Sequence, residues 1–106
     1  MLLIHVQLTI YHFQSVKGSI SCNQQGGMYP YRASKAALNM ITKCLSIDLE
    51  EHGIIAVSLH PRKQEDKSEG PLPYSITAPN IINFISSLDM SHTGGFYSYN
   101  GTIIPF

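Results

Sequence analysis

The run Ile54-Ile55-Ala56-Val57-Ser58-Leu59 constrains this chain more than any other stretch. It is nearly continuous in β-branched and aliphatic residues and closes on His60-Pro61, which reads as a strand covered on both faces. Such a strand needs a layer on each side, and the preceding residues supply one. From about Pro30 to Glu51, Ala33, Ala37, Met40, Ile41, Cys44, Leu45 and Leu49 recur at helical spacing. Pro30 suits a first helical turn and Gly53 a C-terminal cap, so a helix of some twenty residues, about 30 Å long, is expected. Leu38, Met40, Ile41, Leu45 and Ile47 spread beyond one narrow stripe, so this helix needs contacts on two sides, a sheet and a further partner. Upstream, Leu2, Ile4, Val6, Leu8 and Ile10 alternate with mostly polar or smaller neighbours, which predicts a strand over roughly 3–13. Strand, long helix, strand is a βαβ unit with a right-handed crossover.

The remaining segments extend that unit. Ser15 to Gly27 is polar and contains glycine, and is expected to be a loop. Arg62 to Gly70 is charged and poor in apolar residues, which suits a solvated loop. Thr77 or Ser75 is placed to cap a second helix that carries Ile81, Ile82, Ile85 and Leu88, with Pro79 in its first turn. Phe96-Tyr97-Ser98-Tyr99 and Thr102-Ile103-Ile104 flank Asn100-Gly101, a strong hairpin signal. The expected fold class is α/β: about three strands of a parallel sheet, a long crossover helix, a shorter second helix and a hairpin-like tail. With 106 residues this is one domain, 1–106, in which 1–14 forms the first strand.

Charge removes several function classes. Seven basic and seven acidic residues cancel, and no run of Lys or Arg marks a face, so neither nucleic acid nor an anionic membrane is indicated as a partner. Only 13% of residues are charged while 43% are hydrophobic, which leaves apolar surface over. Cys22 and Cys44 lack metal-ligand spacing, and His5, His12, His52, His60 and His92 show none among themselves, so no metal site is expected. The apolar opening is interrupted by His5 and Gln7 and has neither a basic start nor a small-residue cleavage site. A soluble, cytoplasmic protein with free thiols is the expectation.

One motif carries chemistry. In Gly26-Gly27-Met28-Tyr29-Pro30-Tyr31-Arg32-Ala33-Ser34-Lys35 a phenol precedes an amine by four residues, which stacks the two on one helix face a turn apart. An ammonium in that position favours the phenolate form and makes the pair a candidate proton donor. As a bare match, Tyr-x-x-x-Lys more often marks a half-buried ring beside a solvated charge. Met28 and Tyr29 either border a substrate pocket or pack the loop.

Ser15, the Tyr31-x-x-x-Lys35 pair within Ser34-Lys35-Ala36-Ala37-Leu38-Asn39, the strand ending His60-Pro61, and Thr93-Gly94-Gly95-Phe96-Tyr97 with Gly101 and Ile104-Pro105 occur together in this order. The chain thereby resembles the C-terminal half of a short-chain dehydrogenase/reductase, with the C-factor-like and sniffer-like carbonyl reductases as the nearest subgroup. The resemblance runs from about Ser15 to Phe106 and implies a partial Rossmann-type sheet. It implies an NAD(P)-dependent oxidoreductase that reduces carbonyls or oxidises alcohols, with NADP or NAD as cofactor. By match of position Ser15 holds the substrate oxygen, Tyr31 exchanges the proton, and Lys35 assists Tyr31 and holds the nicotinamide ribose. Tyr31, Lys35 and Pro61 are the implied cofactor-binding residues.

Three departures accompany the resemblance. No G-x-x-x-G-x-G or G-x-G-x-x-G precedes Ser15, so the family's nucleotide-binding half is not represented, and the isolated chain is expected to be inactive. After Pro61 the family's glycine is replaced by Arg62-Lys63-Gln64-Glu65-Asp66, and residues 1–14 diverge from the family. A truncated oxidoreductase is one reading. A module that pairs with itself or with full-length relatives through the long helix is a second, and a non-functional fragment is a third.

Overall fold

The computed structural model describes residues 8–61 and 74–106. Within them β1 (Thr9–Phe13), α1 (Tyr29–Asp48), β2 (Ile55–His60), α2 (Tyr74–Ser87) and β3 (Phe96–Ser98) follow in order. The sheet is parallel with spatial order β1-β2-β3, as the α/β reading requires. Of the first strand expected over 3–13, residues 3–7 lie outside the described residues, as does the charged loop after Pro61.

β2 is buried at every position, because it lies between two strands and two layers. Its alternate residues serve different layers. Ser58 sends its hydroxyl to Thr42 of α1, which places Ala56, Ser58 and His60 on the helix side. Ile55 and Val57 point the other way, into a cluster with Leu88 that Phe84, Met90 and Tyr97 complete. The apolar core therefore sits on the face opposite α1, and it is held by α2 and the turn that follows it.

The contact between α1 and the sheet is polar, which corrects the sequence expectation for that helix. Its buried residues are Asn39, Thr42 and Ser46, while Ala33, Ala37, Met40, Ile41 and Cys44 are exposed. Small polar side chains allow the helix to approach closely, and their hydrogen-bonding groups are satisfied on the way in. Thr42 Oγ1 donates to the Leu38 carbonyl at 3.0 Å and accepts from Ser58 Oγ at 3.1 Å, so His12 Nδ1, at 2.9 Å, is assigned as a second donor to it. α1 thus packs on the sheet through this polar face and turns its apolar stripe outward.

The helix ends also differ from expectation in detail. α1 stops at Asp48, a 3-10 turn covers Glu50–His52, and Gly53 then adopts the left-handed conformation at φ 67°. α2 begins at Tyr74, so Pro79 lies inside it and not in its first turn, and neither Ser75 nor fully buried Thr77 is an N-cap. Being only the sixth residue, Pro79 withholds its N–H from a single nearby carbonyl. After β3 the chain turns at Asn100-Gly101 and returns: Ser98 N–H bonds the Thr102 carbonyl, Ile104 N–H bonds the Phe96 carbonyl, and Tyr97 and Ile103 form an antiparallel bridge. The tail then crosses to the loop after β1, where the Ser19 hydroxyl donates to the Pro105 carbonyl and Ile20 N–H to that of Phe106.

Candidate active site

β1 and β2 end side by side, and α1 begins at the same end of the sheet. This is where an open parallel sheet places ligands. Ser15 follows β1, where its hydroxyl accepts from Lys17 N–H at 3.2 Å and caps the 3-10 turn Val16–Gly18. Tyr31 and Lys35 lie in the first two turns of α1, with Lys35 Nζ 5.8 Å from the centre of the Tyr31 ring. The spacing read from sequence therefore does place the amine beside the phenol. Tyr31 is 42% exposed, which leaves its hydroxyl open to a ligand. Pro61 follows β2 and is partly buried.

What connects these elements is Gln14, which the sequence reading passed over. It is almost fully buried, and every polar group it has is used. Its Oε1 accepts from Ser15 N–H at 2.9 Å, and its Nε2 donates to the Lys35 carbonyl at 2.6 Å and to Asn39 Oδ1 at 2.9 Å. Its backbone N–H bonds the Leu59 carbonyl at 2.7 Å, and its own carbonyl meets His60 Nδ1 at 3.2 Å. One side chain thus fixes the strand end that carries Ser15 against the helical turn that carries Lys35. Asn39 extends the clamp toward Gly18, its Nδ2 lying 3.5 Å from that carbonyl.

Gly18 is needed for the same approach. A Cβ there would lie 2.9 Å from Lys35 Cβ and 3.0 Å from the Lys35 carbonyl carbon and oxygen. The only sequence signals for these residues were a buried-type amide beside a candidate serine and a polar i, i+3, i+7 stripe on α1, which alone suggests a solvated face.

The entry to α1 is unusual. Gly26, Gly27 and Met28 all have positive φ, and for Met28, at 52°, this is a conformation that a Cβ disfavours. Met28 and Tyr29 are both exposed, and Met28 Sδ accepts from Lys17 Nζ at 3.3 Å. Of the rest, His52 and His92 pair with Glu51 and Asp89, and no group of metal-ligating side chains occurs among the described residues. An apolar groove of about 240 Å³ lies between α1 and the tail, lined by Ile20, Ala36, Met40, Lys43 and Phe106 among others. None of Ser15, Tyr31, Lys35 and Pro61 lines it. No helix among the described residues is long and apolar enough to cross a membrane.

The fold is that of the C-terminal part of a short-chain dehydrogenase/reductase, and the relatives of the chain in sequence and structure are proteins of that kind. In sequence it is 39% identical to C-signal of Myxococcus xanthus over 98 residues, covering 90% of this chain and 59% of that protein. In structure it matches the carbonyl reductase Sniffer of D. melanogaster with a TM-score of 0.84 and 42% identity, over 92% of this chain and 41% of Sniffer. The NADPH-bound carbonyl reductase from chicken fatty liver follows at 0.78 and 33%, with 92% and 42% covered. No family model matches the chain. The chain thus spans roughly two fifths to three fifths of the relatives it matches.

Proposed function

We propose that this chain carries the proton-transfer side of an NAD(P)-dependent carbonyl reductase. The observation that supports it most is the joining of Ser15 to the Lys35 turn through Gln14, with Lys35 Nζ beside the Tyr31 ring. In this reading the Ser15 hydroxyl donates to the substrate carbonyl oxygen. The Tyr31 hydroxyl gives that oxygen its proton as negative charge develops there, and the Lys35 ammonium stabilises the phenolate left behind. When bound, the nicotinamide supplies the hydride.

The residues fit one end of such a cofactor. Lys35 has no ion-pair partner among the described residues, so its ammonium is available to ribose hydroxyls beside Tyr31, with Pro61 flanking the same end of the sheet. For the pyrophosphate they offer nothing comparable: the strand that precedes α1 is separated from it by residues 14–28, not by a tight glycine turn. We therefore propose that these 106 residues alone neither hold NAD(P) nor turn over in the cytoplasm. Purified chain is to be mixed with NADPH and an aromatic carbonyl and followed at the absorbance of the reduced cofactor. No consumption is expected; consumption that Tyr31→Phe abolishes refutes the inactivity.

The outward face of α1 supports a second reading. Met40 is 65% and Ile47 60% exposed, and Ala33, Ala37, Ile41 and Cys44 continue the stripe. In this reading the face docks a full-length relative, and Ile41→Glu abolishes co-elution with that relative in size-exclusion chromatography. Co-elution unchanged by the charge rules the helix face out.

A further inference from the structure

The charges of this chain are sorted by place. Lys17, Arg32 and Lys35 lie where β1 ends and α1 begins, each of them partly buried. Asp48, Glu50 and Glu51 lie at the other end of α1, more than three helical turns from Lys35 and so about 20 Å away along the axis. Asp89 lies in the turn that leads into β3. Thr93, which ends that turn, accepts from Ala56 N–H near the start of β2, so Asp89 too belongs to the far end of the sheet. Residues 62–70 carry three charges of each sign and add no net charge. The opening between Ser15 and Tyr31 is therefore flanked by cations, and among the described residues no carboxylate pairs with any of the three.

Two of these cations already have a place. Lys35 stands beside the Tyr31 ring, and Arg32 Nε donates to the Gly27 carbonyl at 3.1 Å. Lys17 is different. Its N–H donates to the Ser15 hydroxyl oxygen at 3.2 Å, which fixes its backbone at the reacting end. Its side chain reaches across to the entry of α1, where Nζ lies 3.3 Å from Met28 Sδ. A thioether is a weak acceptor and an ammonium has three donors, so this contact positions Lys17 without neutralising it or using its hydrogen-bonding capacity. A carboxylate arriving beside Ser15 supplies both a countercharge and strong acceptors.

We infer that the site selects carbonyl compounds that also carry a carboxylate, and that Lys17 is the specificity-determining residue that binds it. The inference rests on the reductase reading, in which Ser15 and Tyr31 hold the carbonyl oxygen. Lys17 begins two residues beyond Ser15, so a molecule with its carbonyl on the Ser15 hydroxyl reaches the ammonium through a carboxylate a few bonds away. A neutral carbonyl compound leaves Lys17 on Met28 and gains nothing from it.

Titration of the 106-residue protein followed by amide NMR tests it. The probes are benzoylformate and 3-benzoylpropanoate, which carry the carboxylate next to the ketone or two carbons beyond it, their methyl esters, and inorganic phosphate. At least one acid is expected to shift the Ser15 and Lys17 amides and to bind about threefold or more tightly than its ester. Lys17→Met removes that preference, Lys43→Met in the middle of α1 leaves it, and raising salt from about 0.02 to about 0.5 M shrinks it. Equal affinity for acid and ester overturns the inference, as does a preference that survives Lys17→Met, or phosphate binding as tightly as the better acid. No shift of either amide up to about 20 mM acid also overturns it. If Lys17→Met does not fold, the acid-to-ester ratio of the unaltered protein and the amides that shift decide. The titration needs neither cofactor nor turnover, so its failure leaves the reductase reading to the turnover assay, and a failed turnover assay leaves the preference for acids measurable.

Discussion

Replacing Gln14 with alanine removes the link on which the geometry of the site depends. Two groups lose a partner completely: the Ser15 N–H and the Asn39 Oδ1, each now 2.9 Å from a Gln14 atom. The Lys35 carbonyl loses a 2.6 Å bond but keeps its acceptor role within α1. The Asn39 acceptor is buried and the Ser15 N–H only partly so; at about 1–3 kcal/mol for the first and about 1 for the second, the loss comes to about 2–4 kcal/mol. A domain of this size has roughly 5–15 kcal/mol in all, so the variant is expected to lie close to the unfolding threshold. Urea unfolding followed by circular dichroism and tyrosine fluorescence measures it, since the chain has six tyrosines and no tryptophan. With a slope of about 1–3 kcal/mol per molar urea, the midpoint should fall by about 1 M or more. A double-mutant cycle with Asn39→Ala separates the amide contact, and a coupling energy above about 0.5 kcal/mol is expected. A loss below about 1 kcal/mol, with no coupling, refutes the clamp and with it the reason for placing Ser15 beside the Lys35 turn.

Further outcomes follow from single residues. Met28→Gly relieves the positive φ ahead of α1 and should raise stability by about 1 kcal/mol, a Tm increase of roughly 4–8 °C in calorimetry. Gly18→Ala puts a Cβ against the Lys35 backbone and should cost about 1–3 kcal/mol by chemical denaturation. The Asp89 carboxyl is held below its ordinary range, first by the Ser91 hydroxyl, then by the Ser91 N–H and the nearby His92. Its charge therefore adds stability above the unfolded-state pKa that is lost as pH falls through the folded value. Thermal melts of Asp89→Asn and the unaltered protein should converge below about pH 4 and separate toward pH 7. Burial, and secondarily Asp89, raises the Tyr97 phenol, so folding loses support as pH rises above about 10. Tyr97→Phe should flatten that alkaline decline.

The strands and the long helix were legible because their periods are strong. Ile54 to Leu59 could hardly be anything but an interior strand, and Pro30 and Gly53 bracket the helix within a few residues of its ends. The orientation of α1 was not legible. Asn39, Thr42 and Ser46 look solvated in a pattern of polarity; the hydroxyl of Ser58, the ring of His12 and the amide of Gln14, all distant in sequence, make the burial of Asn39 and Thr42 favourable, while the Ser46 hydroxyl turns back to the Lys43 carbonyl. The second helix was displaced because Pro79 was read as a start signal, whereas Tyr74 to Ala78 already forms the first turn. In the site, the local pair Tyr31 and Lys35 could be read from its spacing. Gln14 could not, since its role depends on which turn of a helix comes to lie against the end of a strand.

The reductase reading is tested most directly by joining this chain behind the N-terminal part of Sniffer, in place of the segment it matches, and measuring NADPH-dependent reduction of a carbonyl. The account predicts turnover that Tyr31→Phe and Lys35→Met each abolish while the fusion stays folded. A folded fusion that binds NADPH and does not reduce the carbonyl, or one whose activity survives the loss of Tyr31, contradicts it.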